Sequence, residues 1–243
     1  MELKQVTNRI YYLPHESETD RPVLGYIKGD KISIAIDAGN SEKHVEKFYN
    51  ELNQMGLCLP EFTVITHWHW DHTFGMHRTV GITIAGHVTN EKLRKVANWS
   101  WSDEEMQNRL QNGEDIPMCD HCIKLEYPNR NDIKVVTTDI EFTNVLKLDL
   151  GGIACNIYEV DAPHSRDSVI IYIPEEKTIF VGDADCEDFY ENNGKYDYQK
   201  LKTYIQFIEP LDFHTYVLGH DEPQTKQEVM DYLNNALAGL SIN

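Results

Sequence analysis

Four side chains able to ligate a metal fall within six residues of one another: His67, His69, Asp71 and His72, in the run HWHWDHTFG. Neutral imidazole with carboxylate is a donor set suited to zinc. One ion does not use all four. In an extended segment residues two apart point the same way, so His67 and His69 meet one ion, while a turn at Asp71 and His72 directs that pair to a neighbouring point. Two adjacent ions follow. The plainer alternative is a polar surface loop or a purification tag, but a tag is terminal and does not follow a buried strand. Three later residues complete the set: His164 after the apolar run 157–160, Asp183 after 178–181 and His220 after 216–218. Singly each reads as a turn or cap, but all three share one placement, the end of an apolar strand.

The elements that must position these residues are legible from periodicity. Short β-branched or aromatic runs at 9–13, 23–27 and 32–36, separated by turn formers, form an antiparallel meander. Ser41 caps a helix carrying Val45, Phe48, Tyr49 and Leu52, which Gly56 closes. Phe62 to Thr66 is a buried strand, so the histidine run begins in a loop at its C-terminal end. Ile82 to Ala85 is another strand, followed by a helix capped by Thr89. Residues 97–132 are a partly helical elaboration with a helix at 102–110, serving as a cover for the site or as a contact with a second subunit. Strands are expected at 133–136, 140–148, 153–160, 168–173 and 178–181, then a helix through Leu201 to Ile208, a strand at 216–218 and a final helix. Residues 1–243 read as a single domain with two sheets inside and helices outside, because each sheet needs both faces covered.

The 40 acidic against 22 basic residues give a formal charge of −18, which disfavours nucleic acid and anionic membrane surfaces as partners and leaves a small-molecule substrate. Five scattered cysteines fit reduced thiols, and no apolar leader or bilayer-length stretch appears, so a cytoplasmic location is expected.

The motifs HWHWDH, APHSRDS, FVGDAD and VLGHDEP, in that order, resemble the metal motifs of the metallo-β-lactamase fold superfamily and span nearly the whole chain. The resemblance implies a four-layer αββα sandwich of the α/β (α+β) class with two mixed sheets. It implies that His67, His69 and His164 hold one zinc, that Asp71, His72 and His220 hold a second, and that Asp183 bridges them. The expected activity is that of a dizinc hydrolase using a metal-bound hydroxide, oriented by Asp71, on a small ester, lactone, thioester or cyclic amide. Two Zn²⁺ are the expected cofactors, with Mn²⁺ or iron as alternatives. Competing readings are a phosphodiesterase for a small phosphorylated metabolite, a di-iron redox enzyme and a non-catalytic metal-binding module. Arg166 and Asp167 depart from the glycine-rich segment common in the family, and Arg166 is expected in an ion pair with Asp167 or another acid. Either one of Trp68 and Trp70 lines the pocket while the other packs underneath, or both are packing residues. Tyr190 is a packed tyrosine or an oxyanion donor. Asp185 is a second choice to Asp183. Cys119, His121, Cys122 and Cys186 are free side chains.

Overall fold

In this computed structural model, which describes residues 2–240, the chain builds two sheets. Residue 1 and residues 241–243, included in the expected single domain, lie outside the described residues. The first sheet begins with β1 (Lys4–Gln5), β2 (Ile10–Leu13), β3 (Leu24–Lys28) and β4 (Ser33–Ile36) as an antiparallel meander. It continues in parallel with β5 (Phe62–Val64), β6 (Ile82–Gly86) and β7 (Ile140–Phe142). The second sheet runs, in spatial order from its far edge, β13 (Gln224–Thr225), β12 (Thr215–Leu218), β11 (Thr178–Gly182), β10 (Ser168–Ile173), β9 (Ala154–Val160) and β8 (Val145–Asp149).

Period-two alternation places the sheets face to face. Ile34 and Ile36 of β4 turn inward to meet Val169, Ile171 and Phe180 of the second sheet, while Ala35 turns outward. Gly25 of β3 lies so close to the opposite sheet that a Cβ there would stand 2.6 Å from the Phe180 ring. Outside the first sheet, α1 (Glu42–Gln54) packs Phe48 and Leu52 against Leu24 and Tyr26. Ser41 is its cap, its side chain accepting from His44 N, and Gly56 follows the helix at φ +70°. Outside the second sheet, α6 (Tyr198–Ile208) and α7 (Lys226–Leu240) cover Ile170, Ile179 and Val181. Helix, sheet, sheet, helix is the expected layering. Strands covered on both faces carry apolar runs such as VIIYI after Ser168 in β10.

Three expectations need correction. Residues 133–136 form no strand: Ile133 instead joins an aromatic cluster, and no neighbouring strand pairs with this segment. The run 140–148 is two strands, β7 and β8, in different sheets, and the chain crosses between them at Thr143 and Asn144, where Asn144 adopts φ +64°. Thr89 does not cap its helix. α3 spans His87–Val96 with Gly86 at the cap, and the buried Thr89 hydroxyl donates to the Asp167 carbonyl from inside the first turn. Residues 97–132 contain α4 (Asp103–Asn112) and α5 (Pro117–Glu126).

Candidate metal centre

The site lies along one rim of the sandwich. β9, β11 and β12 run in one direction, since β10 is antiparallel to both β9 and β11 while β11 and β12 are parallel. His164, Asp183 and His220 therefore emerge at the same end of the second sheet. The first sheet contributes the residues after β5: His67 and His69 leave in a loop, and a four-residue helical turn, α2 (Trp70–Thr73), carries Asp71 and His72. Ligands at carboxyl ends of parallel strands are a general property of open α/β sheets.

The seven residues converge in two groups, His67 with His69 and His164, and Asp71 with His72, Asp183 and His220, each group's ligand atoms lying within 4.8 Å of one another. In the first, His69 Nδ1 stands 2.9 Å from His67 Nε2 and 3.0 Å from His164 Nε2. The other ring nitrogen of His164, Nδ1, meets the Glu187 carbonyl at 2.8 Å, which fixes the tautomer that leaves Nε2 a free lone pair. In the second, Asp71 Oδ2 lies 3.0 Å from His220 Nε2 and 3.1 Å from His72 Nε2. Asp183 Oδ2 sits between the groups, 3.4 Å from the Nε2 atoms of His72 and His220 and 3.7 and 3.9 Å from those of His164 and His67.

Asp37, which follows β4, holds this arrangement from behind. Its Oδ2 meets His72 Nδ1 at 2.7 Å and accepts from the Thr66 hydroxyl, while Oδ1 accepts from Thr66 N. His72 thereby donates through Nδ1 and presents Nε2. Sequence reading missed Asp37, although it follows an apolar strand just as His164 and His220 do. Asp20 stands 3.5 Å behind His220 Nδ1. Gly219 is fitted to Asp183: a Cβ there would fall 2.0 Å from Asp183 Oδ1.

Electrostatics divide the groups. Burial, reinforced by the neighbouring imidazoles, pushes His67 and His69 well below the ordinary histidine range, so both are neutral donors of electron pairs. Burial acts the same way on His72 and His220, but the facing Asp71 and Asp183 overcome it and raise both well above that range. Burial alone would raise Asp71 and Asp183, yet His72 and His220 hold both carboxyls well below theirs. Among the described residues His72 Nε2 and Asp183 Oδ1 are buried with no partner in hydrogen-bond geometry, although Asp71 Oδ2 stands 3.1 Å from His72 Nε2. Three facing imidazole nitrogens, two ionised carboxylates and these orphaned atoms are a donor set that fits divalent cations.

The sequence pattern of the metallo-beta-lactamase superfamily matches residues 23–220. The chain belongs to the metallo-β-lactamase superfamily. Solved structures share its fold. A stereoselective inverting sec-alkylsulfatase from Pseudomonas sp. superposes at a TM-score of 0.71 and 14% identity, over 97% of this chain and 41% of its own. This chain thus spans less than half the length of that sulfatase. A motif mutant of the metallo-β-lactamase from Cronobacter sakazakii gives 0.69 and 14% over 99% of this chain and 96% of its own. A metallo-β-lactamase family protein from Thermus thermophilus gives 0.66 and 14% over 98% and 81%. No curated protein matches the chain in sequence.

In this metallo-β-lactamase fold a cleft of about 470 Å³ opens over His69 and His164. Trp68 lines it, its ring 4.8 Å from that of His69, whereas Trp70 is buried beneath with Phe74 and Met106, so the two tryptophans take separate roles. The Tyr190 ring lies 4.9 Å from His69, but its hydroxyl turns away to Asp115 Oδ1 and Cys119 Sγ, which supports packing over oxyanion donation. Arg166 lines the cleft and forms no ion pair among the described residues, contrary to expectation. Asp167 is instead buried, accepting from Trp68 N and the Ser165 hydroxyl. Asp185 stands outside both metal groups, its carboxyl raised to about 7 by burial and by Asp183. Cys119, Cys122 and Cys186 are free thiols, and among the described residues no metal group includes them.

Proposed function

We propose that the protein is a hydrolase with two adjacent zinc sites, acting on a small ester, lactone, thioester or cyclic amide. His67, His69 and His164 would hold one ion, Asp71, His72 and His220 the other, and Asp183 both. The observation that carries this reading is the position of Asp183 Oδ2, within 3.9 Å of ring nitrogens from both groups. A bridging carboxylate needs that placement, and a protein using a single ion does not.

Bound divalent cations supply Lewis acidity and lower the pKa of a water to about 7. The chain's own residues do the rest. Glu187, through its carbonyl, and Asp37 keep the imidazoles of His164 and His72 in one tautomer and orientation. Asp71 is held ionised, with Oδ2 turned to His72 and His220, so its Oδ1 would be the atom left to accept a hydrogen bond from a water and orient it. Trp68, Val88, Val96 and Trp99 give the approach an apolar wall on which the substrate body would pack.

Metal analysis of the purified protein is expected to give about two zinc per chain, the number a two-metal hydrolytic site requires. Asp183→Ala should lower occupancy of both sites. Retention of two ions in that variant, or no affinity for zinc in the parent, defeats the assignment. Hydrolysis is then checked on a panel of lactones, thioesters, phosphodiesters and β-lactams with zinc, manganese or iron; activity confined to phosphodiesters would move the substrate class.

A further inference from the structure

The cleft over His69 and His164 carries cations with no carboxylate partner among the described residues. Lys92 projects from α3 with its Nζ 5.3 Å from the centre of the Trp68 ring, and that ring abuts His69. Arg166 stands two residues beyond His164 in the loop after β9. Lys95 lies one turn along α3 from Lys92 on the same cleft. None of the three forms an ion pair among the described residues, in a chain where acids outnumber bases 40 to 22. Arg94, beside Lys95 but outside the cleft lining, is paired at 2.7 Å with Glu141. Pairing on α3 is thus found away from the cleft and is missing within it.

Acidic groups also line this space, and they are disposed differently. Asp167 is buried and engaged by Trp68 N and the Ser165 hydroxyl, and Asp188 is buried and accepts from the amides of Tyr190 and Glu191. Glu114 and Glu191 are exposed at the rim. The half-buried cation of the cleft is Lys92, packed on an aromatic face with no carboxylate partner among the described residues. Arg166 adds a planar fork whose geometry matches a carboxylate or phosphate. Apolar surface from Trp68, Trp99, Val88 and Val96 lies among these cations.

We infer that the substrate is an organic anion: an ester, thioester or lactone with an apolar body whose non-reacting end bears a carboxylate or phosphate, recognised by Lys92 and Arg166. This rests on the hydrolytic reading of the same site. It gives that reading a direction, with the scissile group over His69 and His164 and the anionic end towards α3 and the loop after His164.

Two matched probes test it on the metal-loaded protein: the anionic half-ester nitrophenyl hydrogen glutarate and the neutral nitrophenyl valerate. The kcat/KM ratio should favour the anion by about tenfold or more, the range of a hydrogen bond to a charged group. Lys92→Met and Arg166→Gln should each lower that ratio about tenfold. Lys147→Met, which removes the same charge from the exposed face of β8, should keep it. Calorimetric titration with glutarate and with phenyl phosphate, at measured metal content, should show saturable binding that weakens in the two cleft variants; the tighter ligand identifies carboxylate or phosphate as the recognised group. Hydrolysis of both esters at a ratio near one, or a ratio unmoved by the cleft variants, overturns anion recognition while the hydrolase stands. If neither ester is cleaved, the lactone, thioester and β-lactam panel decides the hydrolase reading, and calorimetry decides recognition: anion binding lost in the cleft variants upholds it, and no saturable binding overturns it.

Discussion

His72 shows how much of a candidate metal ligand's behaviour is set by a residue outside the candidate ligand groups. Its Nδ1 is fixed by Asp37, and its Nε2 is thereby aimed at the space between Asp71 and Asp183. Asp37→Ala should weaken metal affinity by about 10- to 100-fold, as loss of such a supporting carboxylate does elsewhere; equilibrium titration against a competing chelator measures it, and an unchanged affinity would show that packing alone orients the ring. The two groups should also differ in their response to pH. In the metal-free centre His72 and His220 are raised by the carboxylates and carry protons at neutral pH, whereas His67 and His69 are lowered and do not. Metal entering the second group must displace protons, so its apparent affinity rises with pH, while around neutrality affinity contributed by His67 and His69 changes little. Calorimetry in buffers of different ionisation enthalpy reads the released protons; release of none at neutral pH contradicts the carboxylate–imidazolium pairing. At this scale the donors were legible because His67, His69, Asp71 and His72 are dense in sequence. Asp37 and the unpaired state of Arg166 were not, since both depend on which distant side chains come within reach.

At the scale of elements, the site depends on how strands end. The register between β11 and β12 shifts between Phe180 and Gly182, where Gly182 takes φ +55°, and Asp183 follows directly. On the adjacent strand end, Gly219 leaves the room that the Asp183 carboxylate occupies. Gly219→Ala should therefore displace Asp183 and reduce metal content with far-UV circular dichroism little changed; full metal content in that variant would mean that Asp183 has freedom to move. Apolar periodicity revealed most strands because doubly covered strands such as β10 carry apolar runs. It failed at 133–136, where Ile133 is apolar for an aromatic cluster rather than for a sheet. It also merged β7 with β8, because a two-residue crossing leaves little trace in composition. Thr89 misled for a related reason: its type suits a cap, yet its hydroxyl serves a tertiary contact with Asp167 inside the helix.

Across the whole molecule, the candidate ligands are divided between the sheets, with His67, His69, Asp71 and His72 from the first and His164, Asp183 and His220 from the second. Bound ions would join the two layers at the rim in addition to the apolar seam. A site held at 1,000 times its dissociation constant adds about 4 kcal/mol to folding. For a chain of this size that is on the order of 10 °C in Tm. Chelation should lower the melting temperature by at least that much, as followed by calorimetry; an identical Tm with the metal demonstrably removed would show that the sandwich does not use it.

The crossing at Thr143 and Asn144 gives this division a further meaning. One break in the backbone there would part the two sheets into separate polypeptides, with β1 to β7 on one fragment and β8 to β13 on the other. Each fragment would keep an incomplete share of both ligand groups: His67, His69, Asp71 and His72 on the first, His164, Asp183 and His220 on the second. Coexpressed halves would thus form a complementation pair whose reassembly across the apolar seam would be strengthened by divalent metal, so that the association of the fragments would report metal binding.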